Sequence, residues 1–155
     1  MTGPVTSPMT TPIEYKLEVV VLPVSDVDRA KAFYVDQVGF NLDVDQVNGE
    51  IRVVQMTPPG SACSVTIGVG LADMVPGSIK GLQLVVKDVD AAREDLLSRG
   101  VEVTPVRHHD GTGWVDGHGG DWNSFIFFDD PDGNAWTVQQ SPGWKEADSG
   151  STDGA

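Results

Sequence analysis

Hydrophobic and polar positions along the chain switch between strand-like and helix-like repeats, and they do so in the same order twice. Residues 15–24 are β-branched and apolar over strand length, and Ser25-Asp26 then offers an N-cap for a helix starting near Val27. Val27, Ala30, Phe33, Tyr34 and Val38 recur at helical spacing, and Gly39 stands where a helix closes on a left-handed residue. Three strands are predicted next, over residues 40–44, 51–56 and 63–69, with Asn48-Gly49 and Pro58-Pro59-Gly60 as turns. The order is βαβββ. It restarts with a strand over 82–86, Asp88 as cap, a helix over 89–99 closed by Gly100, and strands over 101–106, 124–128 and 135–140. Asp130-Pro131-Asp132-Gly133-Asn134 supplies the tight reversal between the last two.

The halves also match in letters. Val24-Ser25-Asp26-Val27-Asp28-Arg29-Ala30 lies over Val86-Lys87-Asp88-Val89-Asp90-Ala91-Ala92, 62 residues on, with Val, Asp, Val, Asp and Ala coinciding. Residues 58–65 lie over 131–138, 73 residues on, where Pro, Gly, Ala and Val coincide. A period of about 60 to 70 residues is that of a duplicated module, since solenoid repeats are shorter. The expected organisation is a flexible segment over 1–14, one domain over 15–140 with modules at about 15–70 and 81–140, and a flexible tail over 141–155.

Composition narrows the partners. Hydrophobic residues make up 39% and charged residues 21%, ordinary globular usage, and no run approaches the roughly 20 apolar residues of a membrane span. Residues 1–12 lack a basic region followed by an apolar run, so the expected location is cytoplasmic. Ten Lys and Arg against 23 Asp and Glu give a formal charge of −13, which disfavours nucleic acid and anionic membrane surfaces; the acidity either serves solubility alone or attracts a cationic ligand. The single cysteine, Cys63, excludes an internal disulfide and a multi-thiolate metal centre.

Duplicated βαβββ modules, a first half running from Val24-Ser25-Asp26 through Phe33-Tyr34 to Val38-Gly39-Phe40, and a second half ending Asp130-Pro131-Asp132-Gly133-Asn134 together resemble the vicinal-oxygen-chelate superfamily of glyoxalases, bleomycin resistance proteins and extradiol dioxygenases. The resemblance covers about residues 17–140 and implies an α+β fold: tandem modules forming curled half-barrel sheets, a cavity on the concave face and helices on the convex one. It also implies a homodimer. In metal-using relatives, His, Gln or Glu project into the cavity from the first and last strand of each module. The matching positions here are Val19, Gly81, Ser64 and Thr137, which are poor ligands, so no cofactor is expected. One step along the same strands lie Val21, Thr66, Gln83 and Gln139, with the two glutamines as polar handles.

Residues 107–123 fit no module, yet they hold all three histidines, His108, His109 and His118, together with Trp114 and Trp122. A loop of this length suggests either a disordered or solvated hairpin tip or a lid, the lid offering the tryptophans as flat apolar surface and a histidine for proton transfer. Phe125 and Phe127 alternate along the next strand as candidate cavity walls. Three functions remain open: a metal-free protein binding and sequestering a small molecule such as a natural product; a metal-independent isomerase or lyase using His108, His109 or His118, or a carboxylate, as base and Gln83 as hydrogen-bond donor; and a metal enzyme with relocated ligands among His108, His109, Asp110, Asp116 and His118.

Overall fold

A computed structural model of the chain describes residues 11–142, so the segment before residue 11 and the tail beyond residue 142 lie outside the described residues. The elements are β1 (Val19–Val21), α1 (Val27–Ala32) continuing as a π-helical turn (Phe33–Val38), β2 (Asn41–Asn48), β3 (Ile51–Thr57), β4 (Ser64–Val69), β5 (Lys80–Val86), α2 (Val89–Ser98), β6 (Arg107–His109), β7 (Trp114–Asp116), β8 (Phe125–Asp129) and β9 (Ala135–Gln140). They form a four-stranded sheet of order β1-β4-β3-β2 and a five-stranded sheet of order β5-β9-β8-β6-β7. In each sheet the first strand runs parallel to the last. The fold is the α+β arrangement of two curled sheets that the repeat implies.

The duplicated helix starts are superimposable in conformation. Asp26 (φ −136, ψ 105) and Asp88 (φ −137, ψ 103) are extended residues whose carboxylates accept backbone N–H groups of the first turn. Gly39 adopts φ 92, which ends the π-helical turn without the steric cost a side chain would meet.

Three expectations change. The first strand shrinks to Val19–Val21 because residues before it have no partner strand, and Tyr15 and Leu17 lie exposed. The strand expected over 101–106 does not form. Pro105 has no N–H to give a ladder, and the Thr104 hydroxyl, not its carbonyl, accepts the Phe127 N–H at 3.1 Å while that carbonyl accepts Arg93 Nε at 2.9 Å. The loop over 107–123 instead contains a hairpin, β6–β7, so the second module carries one strand more than βαβββ.

Both sheets turn one face to a shared core. Leu22, Val54, Met56, Val65 and Ile67 from the first sheet and Ile126, Phe128, Trp136 and Val138 from the second pack with Ala30, Phe33, Tyr34, Phe40, Val89 and Leu96. At the centre of the joint, buried Asp130 accepts Tyr34 Oη–H at 2.7 Å, Asn134 Nδ2 at 2.8 Å and the backbone N–H groups of Asp132 and Asn134. Asn134 Nδ2 also donates to the Pro23 carbonyl and its Oδ1 accepts the Ile79 N–H, while Trp136 Nε1 donates to Tyr34 Oη. Burial and the neighbouring Asp130 carboxylate push the Tyr34 phenol far above its ordinary range. The turn predicted at 130–134 thus also locks the modules together.

Carboxylates on the periphery set the acid limit. Asp45 accepts from Arg52 at 3.1 and 3.0 Å and from Lys31 at 2.7 Å, which holds it down at about 2. The Thr112 and Gly113 donors in the hairpin turn likewise hold Asp110 at about 2, and Thr57 and Asn41 lower Asp43. These pKa values are depressed below the unfolded value of 3.8, so their stabilisation is present above it and is lost as the pH falls through the folded values. Urea midpoints should therefore drop as the pH is taken from roughly 4 to 2, and less steeply in Asp45→Asn. A wild-type midpoint flat across that range would contradict the assignment.

Candidate functional site

The face of the second sheet turned away from the core is read directly from its register. Gln83 pairs with Thr137 and Val85 with Gln139; Thr137 pairs with Phe127 and Gln139 with Phe125; Phe125 pairs with Arg107, and Arg107 and His109 pair with Asp116 and Trp114. Directly paired residues share a face, so these side chains form one strip across five strands. Its middle is aromatic. Trp114 meets His109, Phe125 and Phe127 edge to face at 5.3, 5.2 and 5.2 Å between ring centres, and the two Phe rings stack at 6.1 Å. Trp114 stays 49% exposed, so the cluster leaves apolar ring surface uncovered.

One flank of the strip is polar and directional. Gln139 Nε2 donates to the Trp122 carbonyl at 2.7 Å and Gln139 Oε1 accepts Gln83 Nε2 at 2.5 Å. Trp122 is the one described non-glycine residue with positive φ, at 62. Its turn is pinned by Asn123, which accepts from the His109 N–H and donates to the His109 carbonyl, and by close packing at Gly119, where an added Cβ would stand 2.4 Å from the Asn123 carbonyl. The two tryptophans of the segment 107–123 thus sit on a hairpin strand, part of the sheet wall, and on a tethered turn.

The open face of the first sheet carries Val19 and Val21 beside Ser64 and Thr66, with Gln55 and Thr57 next along. A bulge between Leu42 and Val44 brings Asp43 to Thr57, whose hydroxyl donates to the Asp43 carboxylate. With its proton so used, Thr57 Oγ1 accepts from Ser64 Oγ at 2.6 Å. Two clefts of about 650 and 580 Å³ border the strip, one beside the π-helical turn and the 100–104 segment, which Phe127 also lines, and one between the 58–61 turn and α2, which Gln83 and Val85 also line; neither is lined by Trp114, Thr137 or Gln139. The open faces are walls without a second wall opposite.

The histidines do not meet. His108 Nδ1 donates to the Gly117 carbonyl at 2.9 Å, His109 Nδ1 accepts the Gly111 N–H at 3.1 Å, and His118 Nε2 pairs with Asp90 at the start of α2 at 2.8 Å. Asp110 is taken up by its turn and Asp116 by Arg107 at 3.4 Å. Of these groups only His109 reaches the aromatic strip.

Comparison with known proteins agrees with this geometry. The Glyoxalase/Bleomycin resistance protein/Dioxygenase superfamily matches residues 16–138. The chain belongs to this superfamily. Among solved structures it is similar to TnmS3, an antibiotic binding protein from Streptomyces sp. CB03234, at 34% identity over 84% of this chain and 99% of that one, with a TM-score of 0.68. A glyoxalase/bleomycin resistance protein from the same Streptomyces strain is 36% identical over 81% of this chain and 100% of that one, TM-score 0.64. A superfamily member from Sphaerobacter thermophilus DSM 20745 is 29% identical over 83% and 98%, TM-score 0.65. Comparison with curated proteins gives no match.

The glyoxalase superfamily implies a divalent metal, and the residues do not fit one. Val19 and Gly81 offer no donor atom, and Ser64 and Thr137 offer neutral hydroxyls, too weak to replace imidazole or carboxylate. Among the described residues no three His, Cys, Asp or Glu side chains converge on a metal-sized point. Register also departs from the letter repeat. Val19 does lie beside Ser64, but Thr137 lies beside Gln83 and not Gly81, a two-residue slip that keeps the same face and puts an amide where the alignment put a glycine. Sequence reasoning missed Arg107, Val85, Gln55, Thr57 and Asp43. Arg107, Asp43 and Thr57 reach the faces through a hairpin or a bulge, which no periodicity marks.

Proposed function

We propose that the chain is a metal-free small-molecule binding protein that captures a planar, largely aromatic compound and sequesters it without transforming it. The observation that carries this reading is the Trp114–Phe125–Phe127 strip, an exposed aromatic wall flanked by amides, which suits stacking and orientation. TnmS3, at 34% identity, is described as an antibiotic binding protein, which supports a natural product as the class of ligand. The histidines are spent on loop carbonyls, amides and Asp90, and this arrangement gives the isomerase and lyase alternative no base set against a polarising group.

The functional unit proposed is a homodimer. Val19, Val85, Trp114 and Trp122 are each between 43% and 50% exposed, and a second copy seated on the open faces would cover them and supply the missing opposite wall. Light scattering should give twice the chain mass at micromolar concentration. Titration with planar aromatic natural products should quench or shift tryptophan emission, and mass spectrometry should recover each compound unchanged. Stoichiometric conversion to a new mass would sink the sequestration reading.

A further inference from the structure

The orientation of the two glutamine amides follows from one fixed acceptor. The Trp122 carbonyl can only accept, so Gln139 must present Nε2 to it, at 2.7 Å. Gln139 Oε1 then faces Gln83, and Gln83 must answer with Nε2, at 2.5 Å. Neither amide can flip without setting two donors or two acceptors against each other. Gln83 Oε1 is left with no hydrogen-bond partner among the described residues, on a side chain exposed on the open face. Gln83 thus presents an acceptor, the reverse of the donor role expected of it from sequence.

The first sheet also ends on an acceptor. Asp43 accepts from Thr57 and from Asn41 and Thr57 accepts from Ser64, so the donors run from buried Ser64 on β4 to the exposed Asp43 carboxylate on the edge strand β2, which presents oxygen lone pairs alone. A formal charge of −13 disfavours an anionic partner for these oxygens.

We infer that the ligand must bring the donors: the site selects planar aromatic molecules bearing a hydroxyl or N–H group, which donates to Gln83 Oε1, and Gln139 is the positioning residue that fixes this preference. This rests on the aromatic-site reading above. A matched pair of probes tests it, 2-naphthol and 2-methoxynaphthalene, which share the ring and differ in the donor proton. Binding is followed by two-dimensional NMR on the Trp114 indole N–H and the Gln83 carboxamide.

Wild-type protein should bind 2-naphthol about 3- to 10-fold more tightly than its methyl ether, the range of one hydrogen bond. Gln83→Leu should abolish that preference, bringing the ratio of the two affinities to about one. Gln139→Leu keeps Gln83 but frees its amide to turn, and should shrink the ratio of the two affinities. A merely structural role for Gln139 would instead weaken both probes alike. Failure of both probes to bind wild type overturns the aromatic-site reading and this inference with it. Equal binding of the pair, or a preference that survives in Gln83→Leu, overturns the donor inference alone.

Discussion

Replacing Asn134 with alanine is expected to cost the fold about 3 to 5 kcal/mol, a large share of the 5 to 15 kcal/mol that holds an ordinary domain together. Asn134 is fully buried, and its carboxamide serves both modules at once. Its Oδ1 accepts the Ile79 N–H at 3.0 Å and its Nδ2 donates to the Pro23 carbonyl at 2.9 Å and to Asp130 at 2.8 Å. Alanine leaves the part-buried Ile79 N–H unmatched, takes one donor from Asp130, and takes one of two donors from the Pro23 carbonyl, which keeps the Gly77 N–H at 3.1 Å. An orphaned group costs roughly 1 to 3 kcal/mol and each lost bond to a partnered group about 1 kcal/mol. Asn134→Asp should be nearly as damaging at neutral pH, because a second carboxylate then faces Asp130 and the donor to Pro23 is gone. Its loss should ease in mild acid. Urea unfolding of the two variants against wild type measures this directly, and an Asn134→Ala midpoint within error of wild type would show that the turn does not join the modules as described.

Much of the fold was legible because local rules and global packing agree. Asp26 and Asp88 are N-caps in sequence and in structure, and strands β3, β4, β5, β8 and β9 fall on apolar runs whose alternate residues meet the core. Legibility failed where a single residue changed hydrogen bonding. Pro105 and the substituting Thr104 hydroxyl remove a strand that the valines at 101, 103 and 106 suggest, and those valines still pack on the core without a ladder. The hairpin β6–β7 was hidden because its turn is closed by the Asp110 side chain, inside a segment too rich in glycine to show alternation.

The site was legible by type more than by arrangement. Gln83, Thr137, Gln139, Phe125 and Phe127 do fall on one face, as strand parity requires once β5, β8 and β9 are placed. Parity alone does not reach Trp114, whose place depends on the hairpin, nor Arg107 and Asp116 beside it. The two-residue slip that seats Gln83 beside Thr137 comes with a register shift at Gly81, between Lys80 and Leu82, and letter matching across the repeat has no access to it.

Trp114 carries the second large effect. Its ring meets His109, Phe125 and Phe127 edge to face and stays half exposed, so a planar molecule bound as proposed would stack on a surface that is already ordered. Trp114→Ala should weaken binding of 2-naphthol and of planar aromatic natural products by about 1 to 3 kcal/mol, roughly 5- to 150-fold. Half-exposed in a peripheral strand, Trp114 should contribute far less to stability than to binding, which separates this variant from Asn134→Ala. Trp114→Phe should retain part of the affinity because a ring still faces the two phenylalanines. Trp122→Ala provides the contrast: its link to the strip runs through its carbonyl and Gln139, so the backbone tether survives and the loss should be smaller. Equal affinities for wild type and Trp114→Ala, or a larger loss in Trp122→Ala, would move the binding surface off the Trp114–Phe125–Phe127 strip and onto the 119–123 turn.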